Sequence, residues 1–236
     1  MSSSTSTSSS SAAVPIVTID GPSGSGKGSL CQMLARELDW HLLDSGALYR
    51  IVGLAAEKQS VSFSDEAALA KLAANLNVEF RAGQSGEPSS VLLDAEDVSV
   101  AVRSETTGTL ASKVAVYNGV RDALKDLQRG FAKAPGLIAD GRDMGTVIFP
   151  AAPLKIYLTA SAEERANRRH KQLINKGESV NLAALLEDIK ERDDRDMNRA
   201  VAPLKPADDA ILLDSTGVSI EDVFQQVFDR LKRQLF

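Results

Sequence analysis

Ile16-Val17-Thr18-Ile19-Asp20 runs directly into Gly21-Pro22-Ser23-Gly24-Ser25-Gly26-Lys27-Gly28-Ser29, and behind it Leu30, Met33, Leu34 and Leu38 recur at helical spacing. A buried strand, a glycine-rich turn and an amphipathic helix in that order make a phosphate-binding loop. Glycines let the backbone curl until successive amide hydrogens face one anion, and the helix N-terminus adds its partial positive charge. Lys27 supplies a mobile full charge for β- and γ-phosphates. Glycine and lysine spacing alone arises by chance in some chains; the strand before and the helix after make the reading specific. The common loop has Ser or Thr directly after the lysine to hold Mg2+, whereas here that place is Gly28 and the hydroxyl follows at Ser29. Ser29 is therefore expected at the α-phosphate, with Mg2+ on phosphate oxygens and waters. No direct protein ligand is expected for the metal, and Asp140 is the candidate to hold its waters.

Outward from the loop, apolar runs at 41–43, 137–139, 155–158 and 210–213 alternate with helical segments, and with 16–19 they make five expected strands of a parallel sheet. Asp20, Asp44, Asp140 and Asp214 follow four of them, which places carboxylates at the edge where open α/β sheets bind ligands. Near the end, Val223, Phe224, Val227, Phe228 and Leu231 form a core-facing helical stripe.

Two stretches break this rhythm. Across 77–103 short alternating runs, Val78-Glu79-Phe80, Val91-Leu92-Leu93 and Val98-Ser99-Val100, are broken by Gly83, Gly86 and Pro88, and a small antiparallel insert is expected. Across 162–199 the chain is dense in charge with a polar break at Asn175-Lys176-Gly177-Glu178, which reads as two exposed helices over the sheet edge. Residues 2–11 are all Ser or Thr, so 1–13 is expected to be a disordered tail outside the fold. It lacks the basic and apolar segments of a secretory signal and the arginines of a transit peptide. The remaining segments, 14–76, 104–161 and 200–236, form the expected core.

Composition narrows the function classes. A chain of 236 residues with 43% hydrophobic content fits one large domain. A net charge of −5 with both signs interspersed leaves no field for nucleic acid. No apolar stretch of about 18 residues predicts a membrane span. The single cysteine, Cys31, cannot form an internal disulfide and suits a reducing, cytoplasmic compartment. No long apolar stripe is left over after the core is assigned, so a monomer is expected.

Asp44-Ser45-Gly46-Ala47-Leu48-Tyr49-Arg50, taken with the phosphate loop, resembles the nucleoside monophosphate kinases. Asp140-Gly141-Arg142-Asp143-Met144-Gly145-Thr146, Glu191-Arg192-Asp193-Asp194-Arg195-Asp196 and Asn198-Arg199-Ala200-Val201-Ala202-Pro203-Leu204 narrow the resemblance to the bacterial cytidylate kinases, across residues 15–236. The resemblance implies a P-loop NTPase-type α/β fold with an NMP-binding insert at 77–103 and a helical lid at 162–199. It implies transfer of the γ-phosphoryl group of ATP to CMP or dCMP with Mg2+. It puts Ser45, Arg50 and Arg142 near the CMP phosphate, with Tyr49 beside them. Ser112, Arg121 and Asp143 fall around the cytosine, Arg192 and Asp196 on the sugar, and Arg199 on the phosphates. ATP falls to residues 21–29 and to the lid arginines Arg165, Arg168 and Arg169, of which the one that meets the γ-phosphate stays open. Lys27, Arg142, Arg169, Arg192 and Arg199 would be the catalytic charges.

Phosphoryl transfer itself explains such residue types, because it asks mainly for two aligned polyanions and for cations around the equatorial oxygens. The acceptor phosphate, with a second pKa of about 6, is already anionic at neutral pH and needs no strong base. His41, in a strand, and His170, on the lid, are accordingly given no catalytic role. A P-loop GTPase switch is the rival reading, because Asn175-Lys176-Gly177-Glu178 resembles a guanine-reading motif. That motif should end in Asp and follow a buried strand, whereas this one follows Lys171-Gln172-Leu173-Ile174 in a charged helical stretch. A P-loop kinase of another small molecule, a sugar or shikimate, is opposed by the insert and the arginine motifs.

Overall fold

The computed structural model describes residues 14–81 and 90–236. The tail 1–13 and the breaks at Gly83, Gly86 and Pro88 lie outside the described residues. In chain order the elements are β1 (Ile16–Asp20), α1 (Lys27–Leu38), β2 (His41–Asp44), α2 (Ser45–Lys58), α3 (Glu66–Ala74), β3 (Val78–Arg81), β4 (Ser90–Leu93), β5 (Glu96–Asp97) and α4 (Ser99–Val102). They continue with α5 (Glu105–Val114), α6 (Asn118–Arg129), β6 (Leu137–Gly141), a π-turn (Met144–Ile148), β7 (Leu154–Thr159), α7 (Ala162–Asn175), α8 (Leu182–Asn198), β8 (Ile211–Asp214) and α9 (Ile220–Leu235).

Five strands pair in parallel in the order β2-β6-β1-β7-β8. Residues alternate between its faces, as the period of a strand requires. Val17, Ile19 and Ile138 pack with Leu30 and Leu34 of α1 and Val223 and Val227 of α9, while Leu137 and Ala139 face Leu48 and Val52 of α2 and Leu124 of α6. The register sets Asp140 opposite both Asp44 and Ile19, so the acidic strand ends converge at the middle of the carboxyl edge. The phosphate loop leaves β1 at the same edge.

A three-stranded antiparallel sheet, β3-β4-β5, forms the insert, but Val98-Ser99-Val100 is not one of its strands. The third strand is Glu96–Asp97, entered by a turn in which Asp94 and Ala95 take φ of 50° and 66°. Val98 and Val102, four residues apart, are buried, while Val100 is 88% exposed. That is helical spacing, and α4 uses it to pack Val98 and Val102 with Ile51 and Leu54 of α2.

α2 and α5 lie side by side at Gly53, where a Cβ would stand 2.6 Å from Leu110 Cβ. Any larger residue there would force the helices apart. Beyond the sheet edge, Ser161 caps α7 by accepting from Glu164 N at 3.1 Å, and Asn181 caps α8 by accepting from Ala183 N at 2.8 Å. Asn175 ends α7 and Lys176-Gly177-Glu178 turns toward α8, with Gly177 at φ +82°. The guanine-motif look-alike therefore follows a helix and not a strand.

Candidate active site

In the phosphate loop the Pro22 carbonyl is turned inward and accepts from Lys27 Nζ at 2.7 Å and from Ser25 Oγ at 3.1 Å. Lys27 is buried as the first residue of α1. Burial pulls its ammonium pKa down and pushes that of the Asp140 carboxyl up, and each charge partly offsets the other's shift. A Cβ on Gly28 would point at Asp140 Oδ2 from 3.7 Å, so the residue after the lysine faces this carboxylate.

Of the three arginines of α7, Arg165, Arg168 and Arg169, the first two grip the loop from behind. Arg165 forks onto Asp193 of α8 and donates to Ala160 O at 3.0 Å and Ser23 O at 3.1 Å. Arg168 donates to Glu164 Oε1 at 2.8 Å and to the carbonyl of Ser215, whose hydroxyl in turn donates to Ser25 O at 2.9 Å. Ser215 escaped the sequence reading, although its place directly after β8 on the carboxyl edge was a usable signal. Arg169 donates to Gln172 Oε1 at 3.3 Å. A cavity of about 740 Å³ lies between these groups, lined by residues 23–29, Asp140, Arg142 and all three arginines of α7.

The other half of the site is assembled from separate elements. Ser45 opens α2 behind the cap Asp44, which accepts from Ala47 N at 2.9 Å, and its hydroxyl donates to Gln128 Oε1 at 2.7 Å. Gln128, wholly buried on α6, also bonds Tyr49, whose phenol burial pushes up to about 12. Arg121 of α6 lies 5.7 Å from the Tyr49 ring and closes a buried ion pair with Asp143. Arg50 donates to the carbonyls of Val102 and Ser104, both at 2.9 Å, so the insert and α5 anchor it. Ser112 of α5 donates to Gly108 O at 3.4 Å.

Arg142 donates to Asp196 Oδ2 at 2.9 Å. Burial, with Arg142 and Arg50 close by, pulls the Arg192 guanidinium down to about 10. Its Nε is buried without a hydrogen-bond partner among the described residues, and so is Nη2 of Arg199. Buried unpaired donors on cations cost stability, and an incoming anion repays it. Asp20 supports the turn behind Asp143 by accepting from Met144 N and Gly145 N, both at 2.8 Å. Its carboxyl is raised to about 6, chiefly by burial. In the sequence it shows only as a strand-end acid.

Ser45, Tyr49, Ser112, Arg121, Arg142, Asp143, Arg192, Asp196 and Arg199 together line a cleft of about 60 Å³. Gly46, Arg142 and Arg192 border both spaces, so the two adjoin. The cleft is far below the roughly 300–1,000 Å³ of ordinary ligand sites. Arg50 faces the larger cavity, as do Val91, Val102 and Arg103, and none of the described residues of 77–103 lines the cleft.

A curled loop at the carboxyl edge of a parallel sheet, facing cations with unspent donors, defines a P-loop enzyme that works on phosphorylated substrates. The sequence profile of cytidylate kinase matches residues 17–233. The cytidylate kinase of Aeromonas hydrophila is 58% identical over 221 residues, 94% of this chain and 95% of that protein. That of Stutzerimonas stutzeri is 57% identical over 218 residues, 92% and 95% of the two chains. This chain belongs to the cytidylate kinase family and is a nucleoside monophosphate kinase, a phosphotransferase; the switch reading is not favoured. A solved structure of an uncharacterized protein from Eubacterium ventriosum, 9% identical, matches with a TM-score of 0.50 over 92% of this chain and 98% of that one, a likeness of fold alone. Among the described residues no helix is long and apolar enough to cross a membrane.

Proposed function

We propose that the chain moves the γ-phosphoryl group of ATP onto CMP or dCMP, giving ADP and CDP or dCDP, as a cytoplasmic monomer. The observation that carries this reading is the pair of buried, unpartnered guanidinium donors on Arg192 and Arg199 beside Arg142, in a cleft that adjoins the phosphate loop. Residues 21–29 hold the triphosphate of ATP through backbone amides, and Lys27 leaves the Pro22 carbonyl to meet the β- and γ-oxygens. Arg142 and Arg199 bind the acceptor phosphate, and with Arg192, which reaches in beside the sugar, they stabilise the equatorial oxygens, with Arg169 closing from the lid. Ser45 and Arg50 hold the acceptor phosphate, Tyr49 walls its cleft, and Asp196 meets the sugar.

Asp143 accepts from the exocyclic amino group of cytosine, while Arg121 and Ser112 donate to its ring nitrogen and carbonyl. Their ion pair already sets a carboxylate acceptor beside a guanidinium donor. Uracil reverses the first two positions and leaves both groups unpaired.

Mg2+, when bound, neutralises charge on the phosphate oxygens. Among the described residues no three His, Cys, Asp or Glu side chains converge as a metal cage, so the donors that fit are phosphate oxygens and waters held by Asp140 opposite Gly28. Water exclusion falls to the lid, 162–199. A coupled ADP-release assay with CMP, dCMP, UMP and AMP offered separately tests the reading. Turnover should be fast with CMP or dCMP; equal or greater turnover with UMP or AMP overturns the cytosine assignment, and ADP release that needs no acceptor overturns the kinase.

A further inference from the structure

We infer that Asp193, through Arg165, is a positioning residue that makes the two nucleotide sites sense each other. The inference rests on the two-substrate reading above. Asp193 lines neither cavity. It holds the fork of Arg165, whose side chain is only 4% exposed and which reaches Ser23 O of the phosphate loop and Ala160 O at the end of β7. The stem of Arg165 also fills the space over Gly24, where an added Cβ would stand 3.3 Å from Arg165 Cβ. One guanidinium thus ties α8 to the donor loop.

α8 contributes no whole residue to the buried core, and only part of the Arg192 side chain is enclosed. Beyond the packing of α8 along α7, its other ties are Asp196 Oδ2 to Arg142 at 2.9 Å, Asp196 O accepting from Leu204 N at 2.8 Å, and an exposed contact of 3.9 Å between Lys190 and Glu163. Yet α8 carries Arg192 and Asp196, next to Asp193 and three residues beyond it, on the acceptor side. A shift of the loop on binding triphosphate is therefore passed to Arg192 and Asp196, and a shift of α8 on binding monophosphate is passed back. Linkage makes the two effects equal in free energy. A bridge that served stability alone would be a poor investment, since a buried ion pair roughly breaks even against an apolar pair of similar volume.

The test measures Kd for CMP without and with a saturating non-hydrolysable ATP analogue, and Kd for the analogue without and with CMP. Wild type should show the same ratio both ways, within the range of about 5–150-fold usual for coupled sites. Asp193→Asn should bring both ratios to within about twofold of one, while each ligand alone still binds. Should Asp193→Asn not fold, Arg165→Met combined with Asp193→Leu replaces the pair by apolar side chains, and Arg165→Lys keeps the charge while losing the fork. Ratios that stay at the wild-type value in folded variants, or a wild-type ratio of one, overturn the inference. A wild type that binds neither ligand fails the functional reading instead, and the ADP-release assay separates the two cases.

Discussion

On the function proposed above, the donor half of the site is closed upon itself, while the acceptor half is left with unpaired donors. On the donor side Lys27 is seated on the Pro22 carbonyl, and Arg165 and Arg168 are spent on the loop and on Ser215. On the acceptor side Arg192 and Arg199 keep buried donors without partners, and Arg121 and Asp143 use each other. One half is a contiguous stretch of backbone whose shape exists without ligand. The other is a set of side chains from α2, α5, α6, α8 and the loop after β6, held at a cost until an anion arrives. Damage on the donor side should therefore fall on the chemical step, and damage on the acceptor side on affinity and choice of base.

The largest effect is expected from Lys27→Met. Loss of a full charge at the bridging phosphates should lower kcat by about 10²–10³-fold, the usual cost of one lost transition-state donor. Unfolding temperature should hold or rise, since a buried ammonium is replaced by an apolar chain. Activity within a few fold of wild type would break the donor half of the comparison. Next comes Arg192→Ala. Loss of hydrogen bonds from a charged group, about 1.5–3 kcal/mol, should cut kcat/KM for CMP by roughly 10–150-fold, and Arg192→Lys should restore only part of it. Unchanged kinetics with a lower melting temperature would make Arg192 a structural residue.

Asp143→Asn sharpens the contrast within the acceptor half. The ratio of kcat/KM for CMP over UMP should narrow by about tenfold or more, chiefly through loss on CMP, in line with roughly 1–3 kcal/mol per reversed pair. An unchanged ratio removes Asp143 from base reading. The smallest effect concerns Asp20 beneath the same turn. Its carboxyl ionises near 3.8 in the unfolded chain and near about 6 in the fold. Between those values the native state keeps a proton the unfolded state has lost, so this group's contribution is whole at the acidic end and fades as pH rises through about 6. The melting-temperature advantage of wild type over Asp20→Asn should shrink from about pH 4 to about pH 7. A constant difference denies the buried carboxyl its shifted ionisation.

The same contrast explains what could be read from the chain alone. The loop, the five strands and their terminal acids are local patterns of period and composition, and they stand where the sequence put them. Val98-Ser99-Val100 misled because two valines two apart mimic a strand, whereas the burial that decides pairs Val98 with Val102. Gln128 was invisible, since a glutamine on an amphipathic helix reads as solvated until α2 is packed over it. Asp193 could not be told from Asp194 beside it, yet one forks with Arg165 and the other only accepts from Asn198 on its own helix. That Arg165 is also engaged by Asp193, Ser23 and Ala160 is invisible in the chain, because only tertiary structure brings those groups together. Val102 of the stretch 77–103 anchors Arg50 through its carbonyl, and the described residues of that stretch line the larger cavity and not the cleft, a division of labour no motif encodes.

Gly53 sets a dimension that none of the ligand-facing residues controls. It lets α2, which carries Ser45 and Tyr49, lie flush against α5, which carries Ser112, with Leu110 where a side chain would be. On the function proposed above, the slot for the acceptor base is therefore as wide as two helix backbones allow at a point one turn beyond Tyr49. A methyl group at that point is a shim. It would open the aperture toward larger rings while every hydrogen-bonding group kept its identity, so size and pattern are filtered by separate parts of the molecule.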